Sequence, residues 1–387
     1  MARGKRILIA CVAALLAGKH TRGQSAGAQH PPYAQMDRGA VDYRGPGRET
    51  SSDLSGNTGT IGILLPLQGP NAEQGRVLRK AAEQAIADEN KSGALPDGRA
   101  FSLAVRNETG SWGQSSSEMM RLITEDHSLA LIIGPDGNLA HQAEQIANKL
   151  GISIVTLASD ATTTEISIPW IFRVVASDQQ QSEVIARAIY DRDKRAKVLL
   201  LATTDHDGRA GKAALLRTMQ KLGAEAPVEL NVDPEFVDTG QIRDAVNSAK
   251  ASVVVFWTDP LVFEELLDTV QGVPSVQAIY SSEKAAQAIL ANPAAGRGAG
   301  VVRVPVIGQS IGQSGMSEQV YRAVRLIAAA IRSAGPNRAR VRDALARCTD
   351  SGDGSGPVFD GAGNLLAKPQ LVSVNAEPVW TGSSSVK

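Results

Sequence analysis

The sequence predicts an α/β chain of two lobes, and three observations carry that reading. From Thr60 onward, short apolar runs alternate with amphipathic stretches of helical period. The alternation starts afresh after "IFRVVASD", an extended stretch with no helix of its own. A second such stretch, "GVVRVPVIG", precedes the last long helix and a turn-rich tail. Strands separated by helical patterns of about 10–15 residues form βαβ units, and hence parallel sheets covered by helices on both faces. Two such series, with extended segments between them, make two lobes that the chain crosses more than once. A length of 387 residues also exceeds one average domain.

Taken in order, "TIGILLPL" reads as a buried strand and "QGRVLRKAAEQAIADEN" as its helix, with Val77, Leu78, Ala81, Ala82, Ala85 and Ile86 on one face. "FSLAVRN" is a strand, "SSEMMRLITEDH" a helix, "LALIIG" a strand, "LAHQAEQIANKL" a helix and "ISIVTL" a strand. After "IFRVVASD" come the helix "QSEVIARAIYDRD", the strand "KVLLLAT", the helix "GKAALLRTMQKLG" and the strand "VELNV". The helix "GQIRDAVNSA", the strand "SVVVFW", the helix "PLVFEELLDTVQG" and the strand "VQAIYS" complete the second series. The helix "QVYRAVRLIAAAIRSAG" ends at Gly335 and Pro336, residues suited to a helix stop. The tail "SGPVFDGAGNLLAKPQLVSVNAEPVW" reads as β.

Ahead of this, "MARGKRILIACVAALLAGKHTRGQSAGAQ" has the form of an export signal. Arg3, Lys5 and Arg6 make the charged region, Ile7 to Ala17 an apolar core too short to span a bilayer, and "AGA" at 26–28 a small-residue cleavage site. The alternative, a lipoprotein signal on Cys11, has few apolar residues before the cysteine and many after it. Residues 29–59, rich in Pro, Gly and Ser, read as a flexible leader.

Composition narrows the function. Forty Lys+Arg balance forty Asp+Glu, and no basic stripe interleaves with aromatics, which disfavours nucleic acid. With Cys11 removed, Cys348 is left alone, so neither a disulfide nor a cysteine zinc site is expected; it reads as a filler near a helix end. "GQSIG" at 308–312 has nucleophile-elbow form, but all five histidines precede Ser310, whereas the hydrolase histidine follows its serine. "GRGAG" at 296–300 reads as a loop, and "GRAGK" at 208–212 lacks the full phosphate-loop spacing. His141 and Glu144 share a helical face but lack further metal donors in sequence. No catalytic constellation, metal site or cofactor is expected.

Polar strand ends remain. Open α/β sheets bind ligands outside the carboxyl ends of their strands, where helix N-termini offer N–H groups. The first series supplies "QGPNAEQG" (68–75), "GPDGN" (134–138) and "ASDATTTE" (158–165); the second supplies "TTDHDGR" (203–209), "TDP" (258–260) and "SSEK" (281–284). Any one of them suits a helix cap, and Asp136, Asp160, Asp259 and Thr164 are apt for that. Six across two series outline a cleft with polar walls.

In "IGILLPLQGPNAEQG", "LIIGP", "GISIVTLASDATTTE", "WIFRVVASDQQQ", "TTDHDGRAG" and "GPVFDGAGNL", the chain from Thr60 onward resembles the type I periplasmic binding proteins, in particular the leucine/isoleucine/valine-binding branch that serves ABC importers. The resemblance implies two doubly wound parallel-sheet lobes joined by three crossings, with a ligand cleft that closes like a hinge. After the signal at 1–28 and the leader at 29–59, it divides the chain into lobe 1 at 60–173 plus 306–350 and lobe 2 at 174–305 plus 351–380. It implies a monomer that captures a small polar ligand (an amino acid, amide or amine) in the periplasm for an importer permease, without catalysis.

Carried over residue by residue, the resemblance puts the carboxylate-holding serine at Gly137 or Asn138, and the Ser/Ala-x-Thr on Ala158, Ser159 and Asp160. The first-loop aromatic falls on Gln74, beside Gln68; the second-lobe aromatic falls on Asp207, and a tyrosine near Trp257 or Thr258. The ammonium-binding glutamate is kept as Glu283. With Asp160, Asp207 and Glu283 in the cleft, a polar or cationic ligand is expected in place of leucine; alternatively Asp160 and Asp207 only cap helices. Acids so close together raise one another's pKa unless a cation sits among them. The competing reading is a non-catalytic interaction protein of the same fold that regulates cell-envelope synthesis.

Overall fold

A computed structural model describes residues 54, 59–93, 95–108, 112–166, 168–291, 301–307, 315–349 and 358–375. The signal, almost all of the leader, "GRGAG" and "GQSIG" lie outside these residues. The first sheet contains β1 (Thr60–Leu65), β2 (Ser102–Asn107), β3 (Ala130–Ile133), β4 (Ser153–Thr156) and β5 (Ile171–Arg173), all parallel, in the order β2-β1-β3-β4-β5. The inner strands β3 and β4 are wholly buried, as strands covered on both faces must be, and this is why they read as unbroken apolar runs.

Helices α1 (Ala72–Ser92), α2 (Trp112–Thr124), α3 (Gly137–Leu150) and α4 (Thr162–Glu165) connect these strands. Two later helices, α10 (Gly315–Ala334) and α11 (Arg338–Ala346), return to this lobe: Val320, Val324, Ile327 and Val341 join one core with Ile61, Leu78 and Val155. On α1, Leu78, Ala82, Ala85 and Ile86 are buried as their spacing predicts, whereas Val77 is 40% exposed.

The second sheet has β6 (Val198–Thr203), β7 (Val228–Val232), β8 (Val253–Trp257), β9 (Ala278–Ser281), β10 (Val301–Val306) and β11 (Gln370–Asn375) in the order β11-β10-β9-β8-β6-β7. Only β11 runs antiparallel, against β10. Its helices are α5 (Asp178–Arg192), α6 (His206–Leu222), α7 (Thr239–Ser248), α8 (Pro260–Gln271) and α9 (Gln287–Ala291). Phe256 and Phe263 meet edge to face at 5.1 Å in its core, a pairing that adds about 0.5–1.5 kcal/mol to burial. Gly211 lies under Trp257: a Cβ there would come within 1.6 Å of the indole nitrogen, so α6 reaches the sheet only through a glycine.

The two extended stretches without helices of their own both join a sheet. "IFRVV" supplies β5 beside β4, and "GVVRVPVIG" supplies β10 between β9 and β11. The chain therefore passes between lobes three times: after β5, after β10, and between α11 and β11. Helices α4, α9 and α11 are absent from the sequence reading; the first two are single turns too short to show a period. No helix among the described residues is long and apolar enough to cross a membrane.

Candidate functional site

The carboxyl ends of both sheets' strands meet along a seam between the lobes. In lobe 1, Asp136 caps α3 by accepting from Leu139 N at 2.7 Å, which leaves the N–H of Gly137 pointing outward. That N–H donates to Asp207 Oδ1, from the first turn of α6 in the other lobe, at 3.0 Å. A Cβ on Gly137 would sit 2.3 Å from the same oxygen, so glycine is what permits the approach. Asp207 does not cap its own helix; Asp205 does, accepting from Gly208 N at 2.8 Å. The Lys284 ammonium closes on Asp207 Oδ2. Burial pushes the Asp207 carboxyl up, with Lys284 opposing; burial would lower the Lys284 ammonium, but Asp207 and Asp136 raise it overall.

The "ASDATTTE" loop serves two purposes. Thr163 and Thr164 hydroxyls accept from the buried Arg173 guanidinium at 3.2 and 2.7 Å, and Arg173 also donates to Asp160 O at 2.5 Å. Arg173 and Thr164 both reach Asn364 in the closing segment, so the threonines anchor the loop to the chain's third passage. Thr164 is thus an anchor and not a cap. Asp160 Oδ1 accepts from the Thr162 backbone at 2.9 Å and its hydroxyl at 2.8 Å, which is the capping duty. Its Oδ2 faces His141 Nε2 at 2.9 Å and, across the seam, His206 Nε2 at 2.6 Å. Burial alone would raise the Asp160 carboxyl; the hydrogen bonds to His141 and His206 outweigh it and hold the group well below the usual carboxylate range. His141, flanked by Asp160 and Glu144, is pushed up to about 10.

Glu283 stands elsewhere. It follows β9, is buried, and its backbone N–H donates to Gln181 Oε1 at 2.9 Å. Its carboxyl turns toward Gly315 at the start of α10, and Oε1 has no hydrogen-bond partner among the described residues. Burial pushes it up to about 8, helped by Glu318 and opposed by Arg322. Gln74 lies on this side too, donating across the seam to Gln287 Oε1 at 2.7 Å.

The site residues read from sequence therefore separate. Gly137, Asp160 and Asp207 belong to the histidine–lysine side of the seam, and Gln74 and Glu283 to the α10 side. Ala158 and Thr258 are buried at strand ends, Thr258 Oγ1 having no partner among the described residues; Ser159 is half-buried, with its carbonyl accepting from Asp178 N at 2.7 Å. Gln68 and Asn138 are exposed.

Four residues escaped the sequence reading. His206 and Lys284 sit in loops singled out for their acids. Glu108, just past β2, is half-buried with an unpartnered Oε2 beside Gly134, and burial raises it to about 7. Asp178, at the start of α5, is buried, and burial raises it to about 7 as well. The fold also supplies to His141 the donors that its own helix lacks.

A family model described as periplasmic binding protein matches residues 58–302, well over half of the chain. The chain belongs to that family. Its members are extracytoplasmic solute-binding proteins. Among curated relatives, the Leu/Ile/Val-binding protein BraC3 of Rhizobium johnstonii is 24% identical over 51% of this chain and 53% of its own length. Leu/Ile/Val-binding protein homolog 3 of Brucella melitensis is 26% identical over the same shares. The chain thus spans about half the length of the curated relatives it matches. Solved structures agree in fold: the substrate-binding protein LivJ of Streptococcus pneumoniae with isoleucine has a TM-score of 0.68 at 15% identity, covering 82% of this chain and 99% of that one. A solute-binding protein of R. palustris with benzoate also has a TM-score of 0.68 at 15% identity, covering 83% and 98%.

Proposed function

We propose that this chain is a periplasmic receptor that closes its lobes on a small polar ligand bearing a cationic group, an amine or a basic amino acid, and delivers it to an ABC importer permease. The observation that carries the reading is Glu283, sealed from solvent with one carboxylate oxygen facing no donor among the described residues. Leaving a buried acceptor unpaired costs about 1–3 kcal/mol, which a ligand cation would recover. Glu108 adds a second unpaired oxygen. The seam's own basic groups, Lys284, His141 and His206, each face a carboxylate.

A branched-chain amino acid fits this site less well than it fits the relatives named for one. Gln74 and Asp207 stand where the resemblance puts aromatic walls. The N–H of Gly137, at the position expected to hold a ligand carboxylate, already holds that of Asp207. The receptor works as an exported monomer, its mature chain beginning at Gln29 after loss of the signal at 1–28.

The test is a thermal-shift panel of amino acids, polyamines, amides and sugars on refolded, ligand-stripped protein. A ligand at a hundred times its Kd adds about 2.7 kcal/mol of stability, readily seen. A cationic hit whose affinity falls by about 1.5–3 kcal/mol in Glu283→Gln supports the reading. A leucine-like hit indifferent to that substitution overturns the ligand class.

A further inference from the structure

His141, Asp160 and His206 converge from three separate places: the second turn of α3, the loop between β4 and α4, and the first residue of α6. One donor atom from each lies within 4.8 Å of the others. Both imidazoles address a single oxygen, Asp160 Oδ2, at 2.9 and 2.6 Å, and the rings meet edge to face with centroids 5.4 Å apart. Two ring nitrogens and one carboxylate oxygen thus gather around a common point, as the inner shell of a metal does. Ligands to zinc stand about 2.0–2.2 Å from the ion, so a small outward shift of each group makes room.

The surroundings fit that chemistry. Metal-binding histidines are commonly oriented by a carboxylate on the other ring nitrogen, and His141 Nδ1 faces Glu144 Oε2 at 3.2 Å. Asp160 Oδ1 is occupied by Thr162, which fixes the carboxylate and leaves Oδ2 for the shared contact. Asp160 is 3% exposed, but His141 and His206 keep 31% and 27% exposure, so an ion has a path from solvent. Two imidazoles and one carboxylate select Zn²⁺, Ni²⁺ or Cu²⁺ over Mg²⁺ or Ca²⁺, which favour oxygen ligands. Three protein ligands leave a coordination position open.

We propose that these three residues bind a divalent transition-metal ion and that the ion clamps the lobes together. His141 and Asp160 belong to lobe 1 and His206 to lobe 2, so the full ligand set exists only in the closed arrangement. Metal binding and closure are thereby linked: whatever favours one favours the other. The site stands independently of the organic ligand proposed above, since Glu283 takes no part in it.

The experiment is calorimetric titration of the EDTA-stripped full chain with Zn²⁺, Ni²⁺, Cu²⁺, Mg²⁺ and Ca²⁺, with small-angle scattering before and after addition. The expected result is one saturable site for the transition metals, no comparable site for Mg²⁺ or Ca²⁺, and a smaller radius of gyration with the ion bound. His206→Ala should weaken the affinity at least about a hundredfold and abolish the compaction, whereas His30→Ala in the leader should leave both unchanged. Visible absorption of the Co²⁺-loaded wild-type chain gives a reading that needs no variant: tetrahedral nitrogen–oxygen bands are expected. Absence of saturable binding, binding that survives both His141→Ala and His206→Ala, or binding without compaction overturns the proposal.

Discussion

Asp160 and Glu283 invite comparison, because both follow the carboxyl end of a parallel strand and both are nearly sealed, at 3% and 2% exposure. Asp160 has two imidazoles, a backbone N–H and a hydroxyl around it. Glu283 keeps an oxygen without any partner among the described residues. Their carboxyls consequently move in opposite directions, Asp160 down and Glu283 up to about 8. The difference separates what holds the seam from what awaits a ligand: a satisfied acid at an interface is a fastening, and an unsatisfied one is a binding group. Asp207, paired with Lys284 and with Gly137 N, belongs with Asp160.

The largest expected effect comes from turning a fastening into an orphan. Lys284→Met leaves the half-buried Asp207 without its cation, and urea unfolding should show a loss of up to about 3–5 kcal/mol. A smaller loss would mean that Asp207 finds another partner or solvent. Asp160→Ala should cost less, about 2–3 kcal/mol, because the histidines it strands retain access to water. A neutral result would dissolve the distinction between the two acids.

The subtlest effect lies in the pH dependence of Glu283. A carboxyl raised to about 8 on folding stays protonated in the folded state while the unfolded chain, near 4.5, gives up its proton. The folded state then binds more protons, so ligand-free stability falls as pH rises between those values and levels off above about 8. Glu108 and Asp178, each raised to about 7, add slopes of the same sign. Glu283→Gln should flatten part of the decline and leave the remainder; an unchanged slope would mean that Glu283 ionises freely in the folded protein.

Much of the framework was legible in the sequence. The strand–helix alternation, the six polar strand ends and the two interlobe stretches all correspond to structure, since each is written in local periodicity. The partnerships across the seam were not. Nothing in the spacing of Asp160 and His206, 46 residues apart, says that they touch. His141 and Glu144 were visible as a helical pair, yet their remaining donors came from other elements. Lys284 sat in the quoted "SSEK", where only its acidic neighbour drew attention. Glu108 follows its strand with no motif to mark it, and its significance arises from burial alone. Thr164 of "TTTE" looked like a capping residue because its actual partner, Arg173, lies on the following strand.

The most direct test of the central claim is calorimetry of ligand binding at pH 7 in buffers of different ionisation heat, on wild-type protein and Glu283→Gln. If a ligand cation pairs with Glu283, the carboxyl must ionise as the ligand arrives. Close to one proton should then be released per ligand bound by the wild-type chain, and that release should vanish with the substitution. Tight binding with no difference in proton release between the two proteins would contradict the account and remove Glu283 from the ligand site.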